Sequence, residues 1–483
     1  MMLRLSLLTV VLALLVAAPA RAGGPEMVLG AAEDAVRASD LVTAKAKMTA
    51  LRLAGFRAVR ITSQWTPGAV APDQGELNVL RNVAGAAELS GVRVYVSVYH
   101  PGSRTTPLTP EARSEFARYA GALAGAVPSL DDVIVGNEPN QNGFWMPQFN
   151  QDGTSASPAA YLALLAETYD SIKSVDPGAR VWGAALAPRG ADRPTGTRHT
   201  HSPTRFLQEL GAAYRVSGRT LPIMDGLAHH PYPDNSSQSP DFQHPLNAII
   251  ALADYDKLIA VLTEAFDGTA QPGSTVPILY DEFGIESQIP EGKAGLYTGV
   301  EPKTTRPVPE DVQARSYERG LELAFCQPNV VAMLFFHTQD EVNLNRWQSG
   351  VYYADGAPKS SLPFVRDALD RTRGGSIAQC DGLALDVRPT LLRFPTASAF
   401  KKGKRIVRFR CSLDCRWELT ATRSPTTTVV GRRRGYGRVG VTVVTNLNTA
   451  RLGAKPVRLS LTLTHPVNPG IPFTRVSRLL PTR

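Results

Sequence analysis

Cysteine is scarce, four in 483 residues, too few to build a fold held together by disulfides. No Gly-rich phosphate loop follows the first strand-like segment, which removes the commonest signal of an open nucleotide-binding sheet. No apolar run beyond residue 22 approaches the roughly 20 residues that a membrane-spanning helix needs. Acids nearly vanish from the end of the chain, where residues 401–483 hold 18 Lys and Arg against Asp414 and Glu418. That stretch carries +16 and residues 1–400 carry −7, against +9 overall. The chain is an acidic body with a basic tail. What is present is a globular composition, 43% hydrophobic and 20% charged, which excludes disordered and fibrous classes. The length exceeds one ordinary domain but suits an (α/β) barrel of about 250 residues or more with a smaller companion.

Residues 1–22 have the form of a cleavable export signal. Arg4 supplies the positive start, residues 5–18 the apolar stretch, and Ala20-Arg21-Ala22 the small-x-small cleavage site. A soluble, secreted chain starting near Gly23 is expected, with no membrane span. Export makes the cysteines potential disulfides. Cys411 and Cys415 lie four apart, about 13 Å if extended, whereas a disulfide needs Cα atoms within about 7 Å. If they are bonded, the segment between them is a tight turn.

From residue 26 to about 373, short apolar runs alternate with helical periodicity. Strands are expected at 27–31, 58–62, 92–98, 133–135, 181–185, 226–228, 278–280 and 331–336. Amphipathic stretches lie at 41–53, 110–123, 158–175, 249–266 and 310–325 among others. In one of them Leu162, Leu165, Tyr169 and Ile172 recur at three- and four-residue steps, an apolar stripe on one helix face. Eight strand–helix pairs are the count of a (β/α)8 TIM barrel, here residues 23–375. In a barrel the helices end together at the rim opposite the active face. Cys326 closes the seventh helix and Cys380 follows the eighth, so a Cys326–Cys380 bond is expected.

Barrel enzymes work at the C-terminal ends of their strands. Strand four runs into Gly136-Asn137-Glu138-Pro139-Asn140 and strand seven into Tyr280-Asp281-Glu282-Phe283-Gly284. In a ring of eight these strands lie nearly opposite, so Glu138 and Glu282 face each other across the mouth. Two facing carboxyl groups are what cleavage of a glycosidic bond requires: one protonates the leaving oxygen, the other is ionised and attacks the anomeric carbon. A separation of about 5–5.5 Å is expected, the retaining spacing. His229 and His230 are adjacent, so on a strand they point to opposite faces, and no set of three or four converging ligands is apparent. No metal is expected.

With Asn137-Glu138-Pro139 and a strand-terminal Glu282, the chain resembles glycoside hydrolase clan A, in particular families 5 and 39, the cellulase- and xylosidase-like retaining enzymes. The resemblance spans nearly all of residues 23–373. It implies that Glu138 is the general acid/base, Glu282 the nucleophile, and that no cofactor is needed. It further implies that Asn137 binds the sugar 2-hydroxyl and that Arg60 supports the nucleophile. His230-Pro231-Tyr232 matches the clan's His-x-Tyr, whose tyrosine hydroxyl reaches the nucleophile, and His100 fits a family 5 position. Trp65, Trp145 and Trp347 follow strand ends and are expected to stack on sugar faces, Trp145 foremost. The clan commonly ends strand eight in Trp, whereas this chain reads Phe335-Phe336-His337. Either Phe336 or His337 takes that place, or Trp347 reaches in from the loop. The substrate implied is a β-linked poly- or oligosaccharide; the rival readings are a transglycosylase and a non-catalytic carbohydrate-binding protein.

From about residue 383 the pattern changes to alternation, as in 406–411 and 459–464, with Gly431, Gly435 and Gly437 as turn signals. A small all-β module, immunoglobulin-like, is expected over 383–483. Its basic excess points to an anionic cell wall or polysaccharide as contact. Nucleic acid is not expected, given the export signal and the lack of interleaved aromatics.

Overall fold

Eight apolar segments each form a parallel strand: β1 Val28–Ala32, β2 Ala58–Gln64, β3 Arg93–Tyr99, β4 Asp132–Val135, β5 Arg180–Leu186, β6 Gly226–His229, β7 Ile278–Phe283 and β8 Val330–Phe336. They pair in chain order, and β8 returns to β1 to close the ring. The chain therefore forms the (β/α)8 barrel expected of it, followed by an all-β module. The computed structural model describes residues 23–380, 387–412, 415–426, 428–438, 441–448, 456–464 and 474–481. The export segment and the expected module start at 383 lie outside the described residues.

Small residues and a few large ones share the barrel interior, Ala58, Ala185, Ala228 and Ala332 beside Tyr95, Ile134, Trp182 and Leu279. Below them Asp132 is fully buried. It accepts from Arg93 Nε at 2.6 Å and Nη2 at 2.8 Å, from Trp182 Nε1 at 2.9 Å, and from Arg180 Nη2 at 3.0 Å. Burying a charge is tolerated when it is paired and hydrogen-bonded, and Asp132 is both.

Eight helices cover the barrel: α1 Leu41–Leu53, α2 Gln74–Ser90, α3 Pro110–Ala126, α4 Ser157–Val175, α5 Pro203–Val216, α6 Tyr255–Phe266, α7 Glu310–Phe325 and α8 Leu362–Arg373. Several begin on side-chain caps. Asp40, Asp73, Thr109 and Ser202 each accept from a backbone N–H three residues on, and Pro110 and Pro203 open α3 and α5 where no N–H is needed. The helix expected from 249 starts later, at Tyr255. Asp254 turns back to accept from the backbone N–H groups of His244 and Ala251, which holds 252–254 in a 3-10 turn. Cys326 caps α7 and is bonded to Cys380. Among the described residues no helix is long and apolar enough to cross a membrane.

Strands of the C-terminal module alternate, most regularly at Ile406–Cys411, where exposed and buried residues take turns. It contains β9 Pro389–Arg393, β10 Ile406–Cys411, β11 Cys415–Arg423, β12 Val429–Gly437, β13 Val443–Asn446, β14 Val457–Thr464 and β15 Thr474–Leu480, with a short helix α9 at Ala397–Lys401. They make two antiparallel sheets, in the orders β13-β10-β9 and β12-β11-β14-β15. Phe409, Trp417, Leu419 and Leu461 fill a core of their own. The Cys411–Cys415 bond, with Cα atoms 6.3 Å apart, ties β10 of one sheet to β11 of the other. One expectation is corrected. Gly431, Gly435 and Gly437 do not mark turns but lie inside β12. The reason is space, because a Cβ on Gly435 would stand 2.5 Å from the Trp417 ring.

Candidate active site

The local chain path at the end of β4 is unusual. Gly136 (φ 88°) and Glu138 (φ 44°) both adopt left-handed backbone, a conformation that costs a non-glycine residue about 1–3 kcal/mol. A Cβ at position 136 would also crowd the Tyr161 ring at 3.2 Å. The Glu138 N–H is held by the Ala185 carbonyl at 2.9 Å, so β5 anchors the strained turn. Its outcome is that Asn137 and Glu138 both face the mouth of the barrel, where a cleft of about 830 Å³ opens.

Glu282 reaches the same cleft from β7, which runs on to Phe283 rather than stopping at 280. A carboxylate oxygen of Glu138, one of Glu282 and a ring nitrogen of His230 lie within 4.8 Å of one another. Their partners differ. Glu282 Oε1 is paired with Arg60 Nη1, and its Oε2 accepts from the Tyr232 hydroxyl at 2.9 Å. His230 Nδ1 lies 2.9 Å from Glu138 Oε1 and 3.4 Å from Glu282 Oε2, while its Nε2 faces Asp281 Oδ2 at 3.2 Å. Arg60 Nη2 also donates to Asn137 Oδ1 at 2.8 Å and to Ser97 Oγ at 3.2 Å, which leaves the Asn137 amide N–H groups for the cleft.

Electrostatics follow from that contact set. Burial works against charge on His230, but Glu282 and Asp281 outweigh it and lift the imidazolium to about 10. Arg60 likewise titrates above its ordinary range against the pull of burial, because Glu282 and Asp281 face it. Asp281 resists burial and is pushed below the usual carboxylate range by His230 and Arg60. Burial and the neighbouring Glu282 push the Tyr232 hydroxyl well up, so it stays protonated and donates. Arg60 and a His230 whose protonated form is favoured thus sit under two glutamates. A metal ion at Glu138, His230 and Glu282 would have to displace Arg60 or the imidazolium, since both ring nitrogens already face carboxylates.

The other expected site residues divide. Trp347 reaches in from its loop, stacks on Tyr232 with ring centroids 4.8 Å apart, and meets Phe336 edge-on at 5.3 Å. Phe336 and His337 line the cleft beside it, and His337 Nδ1 lies 2.7 Å from the Ala32 carbonyl. Trp65 and Trp145 do not reach it. Trp65 is fully buried on the edge of Phe116, with its Nε1 bonded to the Ala69 carbonyl at 2.8 Å. Trp145 is 2% exposed between His100 and Tyr161. Their position after a strand end is as expected, but the side chains turn down into the core and offer no face to a ligand. His100 is buried too, its Nδ1 held 2.8 Å from the Gly102 carbonyl and its basicity lowered by burial. His229 points away from the mouth, toward the Ile250 carbonyl.

Several cleft residues carry no sequence motif. Beneath the cleft the fully buried Asp281 carries none either, although its signal was available: an acid inside an apolar strand needs a buried cation. Arg189, past the end of β5, lines the cleft and donates to the Pro233 carbonyl at 2.6 Å. Glu286, 7% exposed, also lines it. Burial and then the nearby Glu301 and Asp340 lift its carboxyl to about 7, with Gln348 and Lys359 pulling the other way.

No family model matches the chain, and no curated protein does. Solved structures similar to it include a GH5_18 enzyme from Streptomyces cattleya in complex with GlcNAc, at 16% identity over 73% of this chain and 81% of that one, TM-score 0.49. A glucosidase from Croceicoccus marinus shares 11% identity over 89% and 94%, TM-score 0.48. A mutant of Bacteroides uniformis β-glucuronidase 2 shares 11% over 95% of this chain, TM-score 0.44, and this chain spans 45% of its length.

Proposed function

We propose that the chain is a secreted, retaining O-glycoside hydrolase of the clan A kind that cleaves β-linked poly- or oligosaccharides. The observation that carries the reading is the pair of glutamates whose oxygens approach within 4.8 Å over a shared cleft. That is near the about 5–5.5 Å of retaining enzymes and short of the about 6.5–9.5 Å that leaves room for an inverting water.

Roles follow from the surroundings. Glu282 is held by Arg60, Tyr232 and His230, three groups that fix and aim its carboxyl, as a nucleophile needs. Glu138 has one such donor, His230, and its side chain is the more exposed, 19% against 11%, as suits a group that exchanges a proton twice per cycle. In the first step Glu138 gives its proton to the leaving glycosidic oxygen while a Glu282 oxygen bonds to the anomeric carbon. In the second, water gives a proton to Glu138 and its oxygen replaces Glu282 on that carbon. Asn137 points its amide donors at the 2-hydroxyl, and Trp347 with Tyr232 forms an aromatic wall for the sugar. No cofactor takes part. Two disulfides suit the oxidising compartment of an exported protein.

A screen of β-linked glycans with analysis of product anomers tests the reading. Glu282→Ala is expected to lose at least about a thousandfold in kcat while sugar affinity remains. Glu138→Ala is expected to lose far less on an aryl glycoside, whose leaving group needs no proton, than on an oligosaccharide. Equal losses on both substrates, or an inverted product, would overturn the assignment.

A further inference from the structure

We propose that the outer face of the four-stranded sheet is a docking surface for an anionic polysaccharide, a glycan chain carrying regularly spaced carboxylate or phosphate groups. The observation is how the strand register distributes charge. Residues directly opposite in an antiparallel pair share a face, and the register stacks this one into four ranks. The first aligns Tyr436, Arg416 and Thr464; the second Arg434, Glu418, Thr462 and Arg475. The third contains Arg432 with Thr420, Ser460 and Ser477, and the fourth Val429, Thr422, Arg458 and Leu479. Every rank holds at least one arginine, and ranks two residues apart are spaced about 7 Å along the strands. A chain laid along the strands meets a cation at each rank over about 20 Å.

Most of that charge is unanswered. Glu418 is the one acid of the face and lies between Arg432, at 3.3 Å, and Arg434, at 2.5 Å. Arg416, Arg458 and Arg475 are exposed and face no carboxylate among the described residues. Arg416 lies over the Tyr436 ring and Arg475 donates to Thr462 Oγ1 at 3.1 Å, so both are steadied without being neutralised. An array of like charges repels itself, and a partner of opposite sign relieves that repulsion.

The chemistry between the arginines selects a glycan over nucleic acid. Serine and threonine hydroxyls fill most positions between them, with Val429 and Leu479 at one end, and match a partner rich in hydroxyls. Single-stranded nucleic acid needs a row of aromatic platforms, and Tyr436 stands alone here. Duplex DNA takes a helix or a two-stranded ribbon into its groove, whereas this is a broad four-stranded face. The three-stranded sheet serves as an internal control. Its outer face carries three arginines, Arg393, Arg408 and Arg410, against five on the four-stranded face, with Ile406 and Val444 exposed beside them.

The inference is independent of the glycosidase reading, because it concerns a different module and a binding measurement. The test uses the full chain on immobilised polygalacturonate and on a phosphomannan, with neutral dextran and a DNA duplex as comparators. Binding to one or both anionic polymers is expected, the stronger arm naming the anion, with none to dextran and loss between about 0.05 and 0.5 M salt. The triple variant Arg416→Ser, Arg458→Ser, Arg475→Ser should weaken binding at least about tenfold. The charge-matched triple Arg393→Ser, Arg408→Ser, Arg410→Ser should change it less than about threefold. Thermal melts of both variants that match the parent exclude unfolding, and the three arginines replaced by lysine should retain binding. Absence of binding at low salt, equal losses in the two triples, or duplex DNA held more tightly than either polymer overturns the proposal.

Discussion

The barrel and the C-terminal module use arginine in opposite ways. In the barrel, Arg60 is 6% exposed and faces Glu282, Asp281 and Asn137, and at the lower end Arg93 and Arg180 converge on the buried Asp132. In the module, five arginines stand on one sheet face with one acid among them. A buried cation is a fixed part of the interior, and removing it strands its partner anions; an exposed one is free to answer something outside the molecule. The same residue type therefore holds a reacting group in place in one region and creates a field for solvent in the other.

The contrast breaks most readily at Arg60. Arg60→Gln leaves Glu282 and Asp281 sharing a single cation, and is expected to lower turnover at least about a thousandfold and stability by about 3–5 kcal/mol, read by steady-state kinetics and thermal unfolding. If the loss were as small as that of a surface arginine, the buried network would be incidental. The next effect sharpens the separateness of the two cores. Gly435→Val forces a side chain into the Trp417 ring, and about 2–3 kcal/mol of destabilisation is expected in the module alone. Calorimetry should show the module's transition falling while the barrel's stays put.

A third measurement concerns a buried carboxyl on which burial and neighbouring acids outweigh the nearby Lys359. Glu286 titrates at about 7, raised from 4.5, so its contribution to stability is complete below about pH 4.5 and is lost as pH rises through 7. Glu286→Gln should match the parent at pH 4.5 and exceed it at pH 8 by about 1–3 kcal/mol. Equal pH profiles of the melting temperature for the two proteins would show that the carboxyl is solvated. The smallest effect belongs to the module's surface, where Arg458→Ser should shift stability by less than about 0.5 kcal/mol.

How much of this was legible in the chain depends on what each pattern encodes. Apolar runs of strand length mark where the barrel strands lie, and a strand end is where a barrel opens, so Glu138 and Glu282 could be expected around one cleft, to which the resemblance to clan A adds Arg60 and Tyr232. Strand position does not say which way a side chain turns after the strand ends. That is why Trp65 and Trp145 look like Trp347 in sequence yet pack into the core. Glycine has two uses, turning the chain and making room, and spacing cannot separate them. Gly435 makes room for Trp417, a residue 18 positions earlier that only the strand register brings beside it. Glu286 has no motif because its unusual titration comes first from burial and then from Glu301 and Asp340, all of which the fold supplies from other loops.

The bond between Cys326 and Cys380 also decides how the molecule bears load. If the module holds on to a polymer while the barrel is dragged by flow, the tug travels along the linker to Cys380 and crosses the sulfurs to the end of α7, next to β8. Helix α8 lies within the 54-residue loop that this bridge closes and stays slack. Without the bridge the same tug would first peel α8 from its neighbours and open the ring from its last helix.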